Sequence, residues 1–555
     1  MRLLTLLLLT CLFLECYGAV DKRLLHPELK KGKQSNPGIK CRLTENGLGY
    51  LREIGMRVLN KEIPNLRLPP MKQRMEVFQQ KGEVVLKDMR ISGYDAPRYY
   101  YLDLEEPSSF NWIMERMSVV STGKFDGSFR LPVVNTPFRA KGEFEARLKN
   151  LNFEASIRMG KTSNGFPTVE VRRCLAVIES VQVNIKKAGI VEIAMNFFKG
   201  AVNKMVKPMI EKQLCTRVKE IIDRDVNKII ETLPLKMSLG GLTKGLKRSK
   251  RGADSSEEDV DKNLDFEGVD IAKRFAKYAK NMVIDIRLTH NPSVDGGVAT
   301  TKHRGEISWE GKGNTPFYPH SMVEKSTKGS MVHLYASDYV LNSMLYHLFV
   351  KKLLNLNIQP RTLPKMGAML MTTCDDFCIG DLVPGLDEYP DHQVVIYFKP
   401  TRPPVGFFMD GSAAIAIKGA MKFYIRKKNQ RTRAKRVLHT DLTVGVKVYL
   451  KTDSKKVTGK ADVKKLKMKL LSTTLEDLTQ DDVDSMADLS KSIMSSMVTQ
   501  ILADGIPIPT MEGLELIKPK LTFLNHTAFI ESYFKVDEKF VHKIVNDAFK
   551  QGMRG

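Results

Sequence analysis

After residue 20, no stretch of this 555-residue chain is long and uncharged enough to cross a bilayer as a helix, which takes about 20 apolar residues. That absence excludes a polytopic helical membrane protein. Cysteine is scarce, seven in all, with no repeated CxxC and no histidine cluster beside it, so a structural zinc site is excluded. The ten histidines are scattered. No G-x-S-x-G elbow, H-E-x-x-H pair, Walker loop or Rossmann fingerprint occurs anywhere in the chain. With nothing to meet the first requirements of an active site, the sequence predicts a protein that is not an enzyme and calls for no cofactor or metal. Acid is also in short supply: 63 Asp and Glu face 88 Lys and Arg, a net charge of +25. Residues 1–250 carry 18 of those charges. Such a balance favours anionic partners, namely acidic lipid headgroups, phosphates or polyanionic sugars.

What is present begins with Arg2, an apolar run over 3–14 and small residues at Gly18 and Ala19. That is the layout of a secretory signal peptide, predicted over 1–18, and it makes the mature chain extracellular, with little access to nucleic acid. Removing it leaves Cys41, Cys174, Cys215, Cys374 and Cys378. The number is odd, so one thiol is unpaired or paired between chains. Cys374 and Cys378 could close a small local bridge; Cys174 with Cys215 would close a loop of roughly 40 residues, worth about 4 kcal/mol by chain entropy. Asn525-His526-Thr527 is a glycosylation sequon at Asn525.

Residues 19–35 are polar and predict a loose leader. A short strand over Ile39, Cys41 and Leu43 then gives way to helical spacing through Leu48, Leu51, Ile54, Val58 and Leu59, with Thr44 at its start and Pro64 as its stop. From 72 to 186 the pattern is one of long antiparallel strands. Along 142–159, Phe144, Ala146 and Leu148 alternate with charged residues, and Leu151, Phe153, Ala155, Ile157 and Met159 then alternate in the other phase, which predicts a bulge. Met195, Phe198, Val202, Met205 and Met209 step along one face of a long helix, kinked at Pro208 and ending near Pro234. An acidic, weakly apolar linker is predicted over 241–270, with the basic cluster Arg248, Lys250 and Arg251 as a possible cleavage point beside the plain solvated alternative. The second half repeats the plan: a strand over 283–288, a helix over 337–354 capped by Asp338 or Ser337, strands over 393–470 and a helix over 484–502. The fold class predicted is α+β, with domains at 36–240 and 271–555.

Several of these segments resemble a known family. Asn36-Pro37-Gly38 leading into Ile39-Lys40-Cys41-Arg42-Leu43-Thr44, the 142–159 strand, Val332-His333-Leu334-Tyr335-Ala336-Ser337-Asp338-Tyr339, and Gly505-Ile506-Pro507-Ile508-Pro509 are similar, in order, to segments of the bactericidal/permeability-increasing and lipopolysaccharide-binding protein family, which includes the plasma lipid-transfer proteins. The resemblance covers 36 to about 545. It implies an elongated boomerang of two similar barrel-plus-helix domains joined by a central sheet, a Cys174–Cys215 disulfide, and an apolar pocket for acyl chains in each half. Candidate pocket residues are Ile54, Val58, Met195, Phe198, Val202, Met205 and Met209 in the first half, and Leu341, Leu345, Phe349, Ile493 and Met497 in the second. Methionine suits such a wall because it is deformable. The family's lipopolysaccharide binders are basic at the N-terminal tip, where this chain offers Lys124, Arg130, Arg139 and Lys141, interrupted by Asp126. A denser cluster is Arg426, Lys427, Lys428, Arg431, Arg433, Lys435 and Arg436, at a predicted hairpin tip. The expected partners are phospholipids or other amphipathic lipids and an anionic membrane or lipoprotein surface. Lipopolysaccharide is the alternative ligand. A glycan-binding matrix protein is the reading from another class.

Overall fold

The computed structural model describes residues 22–543 apart from 66, 69, 78–79, 131–136, 187–206, 241–277, 326, 328, 361–366, 376, 428–433, 454–455, 504–505 and 508–512. The signal segment, the 241–270 linker and its basic cluster lie outside the described residues.

The first half is built on very long strands. Ser109–Arg130, Pro137–Lys161 and Pro167–Lys186 run antiparallel for 22, 25 and 20 residues, with Gln80–Asp95 beside the first of them. The phase slip has its predicted cause: on the Ser109–Arg130 side Val119 pairs with Leu148 and Met117 with Leu151, so one extra residue stands in Pro137–Lys161, and Asn150 takes φ +50° to accommodate it. The buried set changes from 144, 146, 148 to 151, 153, 155, 157, keeping one apolar face inward along the whole strand. Helix α1, Glu45–Glu62, starts at Thr44, whose hydroxyl accepts from Gly47 N–H. Helix α2 covers 207–231 and is irregular over Ile221–Val226, which forms a π turn; Pro208 lies in its first described turn.

The second half repeats the arrangement. His392–Pro400, Ser412–Lys427, Lys435–Asp453 and Lys456–Thr473 form an antiparallel sheet, and helix α4, Gln480–Ala503, packs on its last long strand. α4 begins four residues before the predicted start, because Asp482 accepts from the backbone N–H and hydroxyl of Thr479 and closes the first turn there. Helix α3, Tyr339–Val350, is shorter than predicted at both ends. Ser337 is still strand, and the Asp338 carboxylate does not cap the helix, because it is engaged by His320 and His526.

A six-stranded sheet joins the halves. Its order is Ser293–Asp295, Val298–His303, Ile39–Leu43, Val332–Ser337, Thr527–Val536 and Leu514–Leu524. The strand that opens the first half is thus sandwiched between strands of the second, Cys41 lying opposite both Thr301 and Leu334. The molecule is α+β, two strand-and-helix halves on a shared sheet.

The described part of the leader is not loose. Leu25 and Leu29 are 4% and 3% exposed and join Phe317, Tyr339, Tyr346 and Val405 in one cluster of the second half. Gly32 lies against the Tyr318 carbonyl so closely that a Cβ would sit 1.8 Å from the oxygen. The polar majority of this segment hid two leucines on one side of two short 3-10 turns, Lys22–Leu24 and Pro27–Lys30.

Candidate functional site

A cavity of about 200 Å³ opens between the inner face of the first-half sheet and α2. Phe125, Phe144, Leu148, Val183 and Ile185 line it from the strands, and Met209, Ile210 and Leu214 from the helix. Among the described residues its only polar lining ones are Ser121, Gln213 and Arg217.

α2 stands where it does because it is fastened to the sheet's edge. Pro167–Lys186 is the last strand, and an edge strand carries unpaired N–H groups. Glu211 accepts from Ile178 N–H, Asp223 from Val171 N–H, and Asn227 from Val169 N–H, at 2.8–2.9 Å. The Cys174–Cys215 disulfide ties the same strand to the same helix. Anchored along the edge, α2 roofs the sheet.

The second cavity, about 230 Å³, lies where Leu345 and Leu348 of α3 meet Phe398, Ile415 and Ile417 of the second-half sheet. At the far edge of that sheet α4 uses the same device as α2. Thr499 accepts from Ala461 N–H, Ser495 from Val463 N–H and Gln480 from Leu470 N–H.

Of the pocket candidates, Met209 and Leu345 line a cavity. Ile54, Val58, Leu341 and Phe349 line neither of these two cavities. Ile54 and Val58 are 3% and 1% exposed because α1 is packed and tied down along its length. Tyr100 and Tyr94 donate to its Glu53 and Asn60, and Gly55 sits under Trp112. Leu341 faces Gly406, whose missing side chain leaves room for it, and Phe349 is half-buried away from both cavities. Met195, Phe198, Val202 and Met205 lie outside the described residues, as do the side chains of Ile493 and Met497. The strand residues of the first cavity were missed as lining, although the alternation of Phe144, Ala146 and Leu148 had already marked that face as apolar.

The basic candidates divide. Lys124 pairs with Asp88 at 3.3 Å and Lys141 with Asp126 at 3.4 Å, so these charges are locally balanced. Arg139 is exposed; the side chain of Arg130 lies outside the described residues. In the second half, Lys427 and Arg436 are exposed and Arg426 half-buried. Lys435 donates to the Tyr389 hydroxyl at 2.8 Å and sits 5.0 Å over its ring. Lys428, Arg431 and Arg433 lie outside the described residues. Asn525 is exposed in the turn between the last two strands, and the Thr527 hydroxyl, fully buried, donates to its carbonyl.

Among the described residues two groups bring metal-donor side chains together. In one, Cys374 and Cys378 are joined by a disulfide and are spent as ligands. In the other, Glu28, His320 and His526 offer atoms within 4.8 Å of one another. There the rings stack nearly parallel, 3.9 Å apart, so their lone pairs do not converge, and both nitrogens of His320 are already hydrogen-bonded. This second group is a hydrogen-bonded cluster at the seam between leader and second half. Among the described residues no helix is long and apolar enough to cross a membrane.

Family models describe most of the chain. Residues 47–232 match the N-terminal domain, and 276–536 the C-terminal domain, of the LBP / BPI / CETP family. The bactericidal permeability-increasing protein of Sebastes schlegelii is 20% identical over 494 residues, 88% of this chain and 93% of that one. Lipopolysaccharide-binding proteins of Mus musculus and Homo sapiens are each 21% identical, over 87% of this chain and 90% of theirs. A crystal structure of lipopolysaccharide binding protein aligns over 90% of this chain and 99% of its own, with 18% identity and a TM-score of 0.46.

Proposed function

The chain belongs to the LBP / BPI / CETP family, and from that premise we propose that it is a secreted lipid carrier, holding phospholipid acyl chains in its two cavities and exchanging them at an anionic membrane or lipoprotein surface. The observation that carries this reading is the first cavity: about 200 Å³, lined among the described residues by apolar side chains except for Ser121, Gln213 and Arg217, and roofed by a helix clasped to the sheet edge. Each methylene moved from water into such a space contributes about 0.8 kcal/mol, so acyl chains supply the affinity while a headgroup remains at the mouth. The second cavity, equally poor in polar groups, supports a second chain site. Processing at the 1–18 signal, domain limits at 36–240 and 271–555, and a glycan on Asn525 belong to the same reading.

Native mass spectrometry of the secreted protein tests it. Co-purifying phospholipid that exchanges with labelled vesicles is the expected result; a protein free of lipid that takes none up overturns it. The names of the relatives favour a second reading, capture of lipopolysaccharide. The ion-paired lysines at the N-terminal tip weigh against it, and competition between labelled lipopolysaccharide and phosphatidylserine decides between the two.

A further inference from the structure

The strand Lys456–Thr473 contains the run Lys465-Leu466-Lys467-Met468-Lys469. Leu466 and Met468 point into the second-half core, 8% and 4% exposed. The three lysines therefore project from the opposite face, about 7 Å apart along the strand. All three are exposed. Register extends the face sideways. Lys467 lies beside Thr443, which lies beside Lys418; Lys469 lies beside Asp441, then Ala420, then Lys399. Lys422 sits on the same face between His439 and Tyr397.

Among the described residues, no carboxylate comes within ion-pair distance of Lys399, Lys418, Lys422, Lys465, Lys467 or Lys469, in contrast to the paired lysines of the first-half sheet. The local field is positive enough that, after burial, Lys422 and Arg436 are what hold the His439 imidazole below its usual pKa. Six cations over four neighbouring strands with one acid between them form a two-dimensional array with no groove. Lysine here is a hydrated point charge, suited to a diffuse sheet of negative charge and not to bidentate recognition of single groups. Tyr397 is 45% exposed on the same face, an amphipathic ring of the kind that sits at headgroup level.

We propose that this lysine face of the second-half sheet is where the protein docks on an anionic lipid surface. The inference rests on the lipid-carrier reading for its purpose but not for its test. Docking flat on this face leaves the first-half cavity's loading independent of it.

The test is co-sedimentation of the full chain with phosphatidylcholine vesicles containing or lacking phosphatidylserine, alongside measurement of bound lipid per chain. The wild type is expected to prefer the anionic vesicles and to lose that preference in high salt. The triple variant Lys465→Gln, Lys467→Gln, Lys469→Gln should bind them about 100-fold more weakly, since each lysine near such a surface contributes about 1 kcal/mol. Its unfolding midpoint and bound lipid should not change. Lys30→Gln, Lys228→Gln, Lys539→Gln removes the same charge from exposed sites elsewhere and should cost less than threefold. Unaltered vesicle binding by the first variant overturns the proposal. So does a variant that loses heparin binding but keeps vesicle binding, which assigns the face to a glycan. Charge-dependent docking by a protein that carries no lipid upholds this face and removes the carrier reading.

Discussion

The imidazoles of His320 and His526 lie face to face, ring centroids 3.9 Å apart, over the carboxylate of Asp338. That carboxylate is 1% exposed and meets Nδ1 of both rings, at 3.3 and 2.6 Å. His320 Nε2 meets the carbonyl oxygen of Glu28, in the leader, at 3.0 Å. Both partners are oxygen acceptors, so the geometry suits a His320 ring that carries protons on both nitrogens. In that protonated form His320 fastens the leader to the second half against the Asp338 carboxylate.

The attachment therefore depends on pH. The hydrogen bond to Asp338 holds the His320 pKa above its ordinary value, burial opposing. Glu28 faces the pair, itself ion-paired with Lys31. A raised folded-state pKa gives stabilisation that is complete below the unfolded value, about 6.5, and is lost as pH rises through the raised one. Hydrogen-exchange protection over 22–38, taken relative to the base-catalysed intrinsic rate, should be high at pH 6 and fall toward pH 9. Asp338→Asn should remove that dependence and cost about 3 kcal/mol, since it strands a buried charge. Protection that does not change with pH in the wild type would show that His320 is neutral throughout.

The edge clasps lead to a prediction about both halves. Ser495→Ala with Thr499→Ala leaves the Val463 and Ala461 N–H groups without their partners, at about 1–3 kcal/mol for each buried donor left unsatisfied. In the first half, Cys174→Ala with Cys215→Ala opens a loop of separation 41, at about 4 kcal/mol by chain entropy. Urea midpoints measure both. If α2 is held by its clasp as well as its disulfide, the cysteine variant unfolds at lower urea but keeps the Ile178 and Val171 amides protected.

The long strands were legible because period-2 alternation survives even a bulge, and the slip between Leu148 and Leu151 located the bulge against Ser109–Arg130. α1 was legible from Thr44 and its spacing. The cavity walls were not. Periodicity marks which face of an element is apolar, but not whether the element opposite closes on it. Ile54 met packing partners whereas Leu148 met space. The clasps were invisible for a related reason. Glu211, Asp223 and Asn227 look like ordinary solvent-facing residues of a helix until the strand edge they satisfy is in place. Net charge misled in its distribution. The first half holds most of it, yet pairs its tip lysines with Asp88 and Asp126, while in the second half Lys399, Lys418, Lys422, Lys465, Lys467 and Lys469 share one face with no carboxylate at ion-pair distance among the described residues.

Cys41 is the one free thiol among the described cysteines. It sits between two neighbouring strands of the central sheet, and burial pushes its pKa up to about 11. Thiolate is the reactive form, so iodoacetamide at pH 8 should leave it unmodified in the native protein and label it in urea. Rapid native labelling would mean that the central sheet opens on the labelling timescale.

Filling the first cavity separates its role from that of the second. Leu148 lines it from the sheet and is 6% exposed, opposite Val181 and far in sequence from any residue of the second cavity. Leu148→Trp puts an indole into the space acyl carbon would occupy, at about 1–3 kcal/mol of overpacking. Ile417→Trp does the same for the second cavity. If each cavity holds its own lipid, native mass spectra should show each variant losing part of the bound lipid and the double variant losing all of it. Docking on anionic vesicles should persist in all three, because the lysine face lies outside both cavities. Full lipid occupancy in the Leu148→Trp protein would mean that acyl chains bind elsewhere and that this cavity is only a packing defect beneath α2.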